Sequence, residues 1–128
     1  MKVLLDTNAV LWAALSPERL SAAAAARIAD SRAELCVSAA TAWEISTKVR
    51  IGKLPEAVAL ERYFLVAAQQ AGYQFLSIRA ENALRAGRLI GTHRDPFDRM
   101  IAAQALELDI EVISKDARLD EFGVRRIW

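Results

Sequence analysis

The sequence predicts an α/β fold, a three-layer α/β/α sandwich in which helices cover both faces of a central, mainly parallel sheet of four to five strands. Three observations predict it. Short apolar runs of strand length alternate with longer stretches of helical character. No internal repeat, low-complexity tract or linker breaks that alternation, so residues 1–128 read as one domain with a single core. Four acids, Asp6, Glu44, Asp98 and Asp116, each stand just past an apolar run or on the early turns of a helix. Acids so far apart in sequence converge only where a fold gathers strand ends, and in an open α/β sheet that place is the carboxyl edge.

The elements follow in order. Val3-Leu4-Leu5 is a buried first strand that ends at Asp6-Thr7-Asn8, and residues 9–15 form a short helix. Ser16 as cap and Pro17 at the first helical position start a second helix, which the Ala-rich residues 20–30 carry on by propensity. Leu35-Cys36-Val37 is the second strand, and Ser38 caps the helix that carries Glu44 and stops at Gly52. On that helix Ala42, Ile45 and Val49 make a core-facing stripe, while Thr41, Glu44 and Lys48 share a polar face. Pro55-Glu56 opens a helix through about residue 71, ended by Gly72. Residues 73–78 form the third strand, 80–86 a short helix and 87–94 a polar loop. Asp95-Pro96 starts the helix to about Leu108, residues 111–114 form the fourth strand, and residues 124–128 form a last, edge strand.

A net charge of +1, with 54% hydrophobic and 26% charged residues, fits a soluble globular domain and offers no basic field of the kind a general nucleic-acid coat carries. Cations at a site would alter the local charge without entering that count. The single cysteine, Cys36, falls in a buried strand as a structural thiol, and with one histidine, His93, the chain has no Cys/His zinc set. The apolar stretch at the start is too short for a signal peptide and no run is long enough to span a membrane, so the expected location is cytoplasmic.

Each acid also has a plain structural explanation. Asp6 could make an Asx-turn or cap the next helix, although Asp6-Thr7-Asn8 clusters three polar groups at the sheet edge. Glu44 could pair with Lys48 one turn on, for a few tenths of a kcal/mol. With Pro96 at the first helical position, Asp95 falls at the cap and Asp98 in the first turn, where free N–H groups and the helix dipole favour both. Asp116 could begin a turn, with Ser114 two residues earlier pointing the same way. Each acid alone is ambiguous; their joint placement is not easily accidental. Carboxylates gathered at one edge stay ionised only with a cation among them. Oxygen ligands, with no His or Cys expected beside them, suit Mg²⁺ or Mn²⁺ rather than zinc. His93, in a loop before a helix cap, reads as a structural or substrate-contacting residue, since a water-activating metal site needs no imidazole base. Lys48, Arg94, Arg99 and Lys115 neighbour the acids and are candidates to contact phosphate, with ordinary surface pairing as the alternative for each.

Four stretches, Leu5-Asp6-Thr7-Asn8, Ser38 with Trp43-Glu44-Ile45, His93-Arg94-Asp95-Pro96-Phe97-Asp98-Arg99-Met100-Ile101-Ala102-Ala103-Gln104-Ala105, and Ser114-Lys115-Asp116, occur in this order and spacing. Together they resemble the PIN-domain ribonucleases, and among these the VapC toxins of bacterial toxin–antitoxin pairs. The resemblance covers essentially the whole chain. It implies a PIN-like sandwich and metal-binding acids at Asp6, Glu44, Asp98 and Asp116, with Asp6 and Asp98 as principal ligands. It also implies supporting polar positions at Asn8 and Ser114, with Asp95 a second-rank candidate. It implies Mg²⁺ or Mn²⁺, hydrolysis of RNA phosphodiester bonds, a homodimer, and neutralisation by a small VapB-like antitoxin in a hetero-oligomer. Exposed aromatics among Trp12, Trp43, Tyr63, Phe64 and Trp128 would serve such interfaces, with core packing the commoner use.

Other α/β chemistries fit less well. A flavodoxin-like phosphoacceptor wants an acid after the third strand, where Leu76-Ser77-Ile78-Arg79 has none. A haloacid-dehalogenase-type phosphatase wants a second acid where Asn8 stands, and no glycine-rich phosphate loop is present. The remaining alternative is a catalytically inactive PIN-like module that holds RNA or protein.

Overall fold

A computed structural model describes residues 1–128. Strands β1 (Lys2–Leu5), β2 (Glu34–Ser38), β3 (Gln74–Leu76), β4 (Glu111–Ile113) and β5 (Arg126–Ile127) make one sheet in the order β3-β2-β1-β4-β5. Every neighbouring pair is parallel, with Leu5 of β1 opposite both Val37 of β2 and Ile113 of β4. The chain winds outward from β1 to β3 and then returns to the other side of β1. The switch point therefore lies between β1 and β4, where α/β sheets hold their ligands.

The helices are α1 (Thr7–Leu15), α2 (Ala22–Ala29), α3 (Ala39–Arg50), α4 (Val58–Arg62), α5 (Phe64–Gln70), α6 (Ala80–Arg88) and α7 (Pro96–Leu108). Alternate residues of the central strands feed two cores. Val3, Leu5, Val37 and Ile113 pack with Val10, Leu11, Ile45 and Phe64 on one face. Leu4, Cys36 and Val112 pack with Ile101, Ala102, Leu119 and Phe122 on the other. A central strand buried on both sides has to be apolar throughout, which is why β1 reads as an unbroken run rather than an alternation. Burial also pushes the Cys36 thiol up, consistent with an inert packing role. No helix is long and apolar enough to cross a membrane.

Three local expectations are corrected. Ser16 makes no side-chain cap; Pro17–Arg19 form a single 3₁₀ turn, and α2 starts afresh at Ser21, whose hydroxyl accepts from the Ala24 amide at 3.1 Å. The helix expected from Pro55 to about residue 71 is three pieces, a 3₁₀ turn (Pro55–Ala57), α4 and α5, with the break at Tyr63. The residues after Asp116 form a 3₁₀ helix (Ala117–Phe122) rather than a simple turn. Among the aromatics, Phe64 is core, Trp12 tilts against Trp128 with ring centroids 5.6 Å apart, and Trp43 and Tyr63 stay exposed.

Candidate metal centre

Asp6 stands where β1 ends. Its amide donates to the Ile113 carbonyl at 3.1 Å, and its Oδ1 accepts from the Ala9 amide at 2.8 Å, so the residue both closes the strand and caps α1. Glu44 projects from α3, which Ser38 caps by accepting from the Ala40 amide at 3.0 Å. The face bearing Thr41 and Glu44 is buried, because it turns towards the end of β1, where the Thr41 hydroxyl meets that of Thr7 at 3.1 Å. Asp98 sits in the first turn of α7, held there by Asp95, whose Oδ1 accepts from the amides of Phe97 and Asp98 at 2.8 and 3.1 Å. Asp116 follows β4 through Ser114, whose Oγ accepts from the Asp116 amide at 3.0 Å.

These residues meet in one cleft of about 190 Å³, lined by Asp6, Thr7, Asn8, Glu44, Lys48, Asp95, Asp98, Asp116 and Arg118, with no apolar residue among them. Asp95 thus caps α7 and also faces the cleft, and Asn8 lies at its exposed rim. Asp6 and Glu44 are each 4% exposed. Burial, chiefly, pushes the Asp6 carboxyl up from 3.8 to about 6, with the charges of Asp98 and Glu44 adding to it and the Ser114 hydroxyl and Ala9 amide opposing it. Asp98 is likewise raised to about 6, by burial first and then by the charges of Asp95 and Glu44. Asp116 goes the other way, held below the usual carboxylate range by a two-pronged bond from Arg118 at 2.9 Å on each oxygen.

Two further groups enter the site. His93 is buried, and its Nε2 lies 2.8 Å from Asp98 Oδ2 and 3.1 Å from Asp116 Oδ2. The expectation of a site without histidine is therefore corrected: a loop residue five positions before Asp98 folds back between two of the acids. Arg118, unremarked in the sequence, follows from the Asp116-x-Arg118 spacing once the 3₁₀ turn is known. The proposed phosphate contacts separate. Lys48 lines the cleft and reaches Glu44 Oε2 at 2.5 Å, and Arg94 is exposed beside the start of α7. Arg99 lies outside the lining and donates to the carbonyls of Ala86, His93, Gly87 and Leu89, so its guanidinium straps the loop before α7. Lys115 lies over the Trp12 ring, 6.0 Å from its centroid.

The donor set fits a hard divalent cation. Glu44 Oε1 is buried without any hydrogen-bond partner, a costly state for a carboxylate oxygen unless a cation completes it. The carboxylates of Asp6, Glu44 and Asp98 line one cleft with no thiolate among them, donors suited to a hard divalent cation.

Solved structures share the architecture. VapBC2 from Rickettsia felis, determined on a DNA fragment from its promoter, superposes with a TM-score of 0.71 at 13% identity over 98% of this chain and 97% of that one. VapBC-1 from nontypeable Haemophilus influenzae gives 0.64 at 17% identity over 98% and 96%, and FitAcB from Neisseria gonorrhoeae gives 0.63 at 21% over 97% and 95%. No curated protein matches the sequence. The model of the PIN domain family matches residues 3–124, nearly the full length of the fold just described, and this chain belongs to that family.

Proposed function

We propose that this protein is a VapC-type endoribonuclease that hydrolyses RNA phosphodiester bonds in the acidic cleft with Mg²⁺ or Mn²⁺ and is neutralised by a small VapB-like antitoxin. The observation that carries the reading is the unpartnered buried Oε1 of Glu44, on a residue lining a cleft where the buried Asp6 and the half-buried Asp98 are already pushed up to about 6. Asp6, Glu44 and Asp98 would hold the cation, with Asp116 completing the set directly or through water. Bound there, the cation supplies an acidified water and neutralises charge on the scissile phosphate.

The chain's own groups do the positioning. The Ala9 amide orients the Asp6 carboxylate. Asn8, Lys48, Arg94 and Arg118 present donors in or around the cleft for the RNA backbone. With water as the nucleophile, the expected product ends are 5′-phosphate and 3′-hydroxyl. The same reading expects a homodimer that joins a small antitoxin in a cytoplasmic hetero-oligomer, as the resemblance to the VapC toxins implies; the VapBC2, VapBC-1 and FitAcB structures share the fold that such an assembly would use.

Sequencing of 5′-phosphate ends in cells expressing the protein, against an Asp98→Asn control, tests this reading. Metal-dependent ends absent from the control support it, and 2′,3′-cyclic phosphate products would overturn it. An inactive binding module is the second reading, favoured by the way Lys48 and Arg118 already pair with Glu44 and Asp116. Calorimetry with Mn²⁺ separates the two, because the inactive module takes up no ion.

A further inference from the structure

We propose that His93 is a positioning residue of the cleft: its Nε2 ties Asp98 to Asp116 and fixes both carboxylates in the arrangement that a bound cation needs. The inference rests on the metal-dependent reading above and assigns a role in it to a side chain outside the acidic set.

The geometry is specific. Asp98 lies on α7 and Asp116 past β4, and one imidazole nitrogen reaches both, at 2.8 and 3.1 Å. One ligand atom from each of the three residues falls within 4.8 Å of the others. Asp116 is also drawn towards solvent by Arg118, whose side chain is 65% exposed. Without His93, only that outward pull on Asp116 remains. The bridge requires a proton on Nε2, which donates towards the carboxylate oxygens of Asp98 and Asp116.

The surroundings determine the ring in more ways than packing alone needs. His93 stacks on Phe122 with the planes 6° apart and centroids separated by 6.4 Å. Its carbonyl accepts from Arg99 Nη1 at 2.8 Å, and the same guanidinium holds the carbonyls of Ala86 and Leu89. The preceding residue is tied as well: Glu121 accepts from the Thr92 amide at 2.8 Å and from its hydroxyl at 3.1 and 3.2 Å. Gly91 presses so closely on Phe122 that a Cβ there would come within 2.7 Å of the ring. Arg99, Glu121 and Phe122 therefore converge on one outcome, an imidazole locked between two acids. Partners of this kind around metal ligands set ligand orientation, and their loss lowers metal affinity by roughly 10–100-fold.

The test compares three variants of the full chain: His93→Gln, whose amide nitrogen falls near the Nε2 position, His93→Asn, whose amide falls near Nδ1, and His93→Phe, which keeps the stack and removes the donor. Calorimetric titration with Mn²⁺ is read beside thermal melting in chelator and beside kcat and KM for RNA cleavage. The expected result is at least a tenfold loss of Mn²⁺ affinity in His93→Phe and His93→Asn, near-native affinity in His93→Gln, and a fall in kcat at subsaturating metal that excess Mn²⁺ restores. If His93→Phe fails to fold, the Gln and Asn variants decide, and equal affinities in those two overturn the proposal. Native affinity in His93→Phe also overturns it while leaving the metal-dependent reading intact. Failure of the unaltered protein to bind Mn²⁺ overturns both.

Discussion

Lys48 Nζ stands 2.5 Å from Glu44 Oε2, one helical turn away, while the other oxygen of the same carboxylate has no partner. The ammonium serves as a built-in counter-charge for one oxygen of a buried acid and leaves the other unpartnered. Lys48→Met should therefore act in opposite directions on the two states of the protein. Without metal it strands a buried carboxylate and costs about 1–2 kcal/mol, a figure tempered by the partial exposure of the lysine. With metal it removes a competing positive charge, so Mn²⁺ should bind more tightly. Melting curves with chelator and with saturating Mn²⁺ should cross relative to the unaltered protein; parallel destabilisation in both would show that Lys48 does not compete with the ion.

The raised carboxyls of Asp6 and Asp98 make a pH prediction whose sign is unusual for acids. Each has a folded pKa of about 6 against an ordinary 3.8, so between those values the folded chain binds more protons than the unfolded chain. Stability then falls as pH rises through that window, and for Asp6 the loss is about 2–3 kcal/mol by pH 7. Asp116, held low by Arg118, contributes with the opposite sign, and its window lies below 3.8. In chelator, the melting temperature should decline from pH 4 to pH 6.5 and then level off. Saturating Mg²⁺ should flatten the upper part of that decline, because the ion replaces the protons. A metal-free melting temperature that rises across the window would contradict the burial of these two charges.

Neutralising either acid should separate stability from activity. Asp6→Asn retains an acceptor for the Ala9 amide, and Asp98→Asn retains one for His93, so neither cap nor bridge is lost. What disappears is a buried negative charge, and each variant should melt several degrees higher than the native chain in chelator at pH 7. Cleavage should vanish in both. A variant that gains no stability yet loses activity would place the effect in misfolding rather than in the removed charge.

Much of this arrangement is legible in the residues because it is local. β1, β2 and β4 are built on the apolar runs Val3-Leu4-Leu5, Leu35-Cys36-Val37 and Val112-Ile113. Asp6 follows β1 directly and Asp116 comes three residues after β4, so the parallel sheet brings both to one edge. Asp95 and Asp98 are fixed by Pro96 at the start of α7. Glu44 is less legible, because the polar face of α3 looks solvent-facing until the site it closes is known. The break at Tyr63 has no Gly or Pro to announce it, and the Ser16-Pro17 start, which reads as the opening of a full helix, closes after a single 3₁₀ turn. The nearness of His93 to the acids is not legible, for a different reason. Its place depends on a loop path set by Arg99, Glu121 and Phe122, contacts with no periodicity and no fixed spacing.

That loop path gives two glycines only four residues apart, Gly87 and Gly91, opposite tolerance for a side chain. A Cβ on Gly91 would lie 2.7 Å from Phe122 Cε1, 3.1 Å from Cδ1 and 3.0 Å from Glu121 Oε2. The ring is packed with Ile101, Leu119 and Val124 and has little room to yield. Gly91→Ala should therefore cost about 1–3 kcal/mol and, by tilting the face on which His93 stacks, weaken Mn²⁺ binding. Gly87, near the end of α6, has nothing within 4 Å of the same added atom. Gly87→Ala should stabilise the chain by up to about 1 kcal/mol through helix propensity and leave metal affinity unchanged. Urea denaturation midpoints and Mn²⁺ titrations on the pair check both signs. Equal effects at the two glycines would mean that the crowding at Gly91 is relieved without moving Phe122, and the mechanical link from this loop to the acids would be lost.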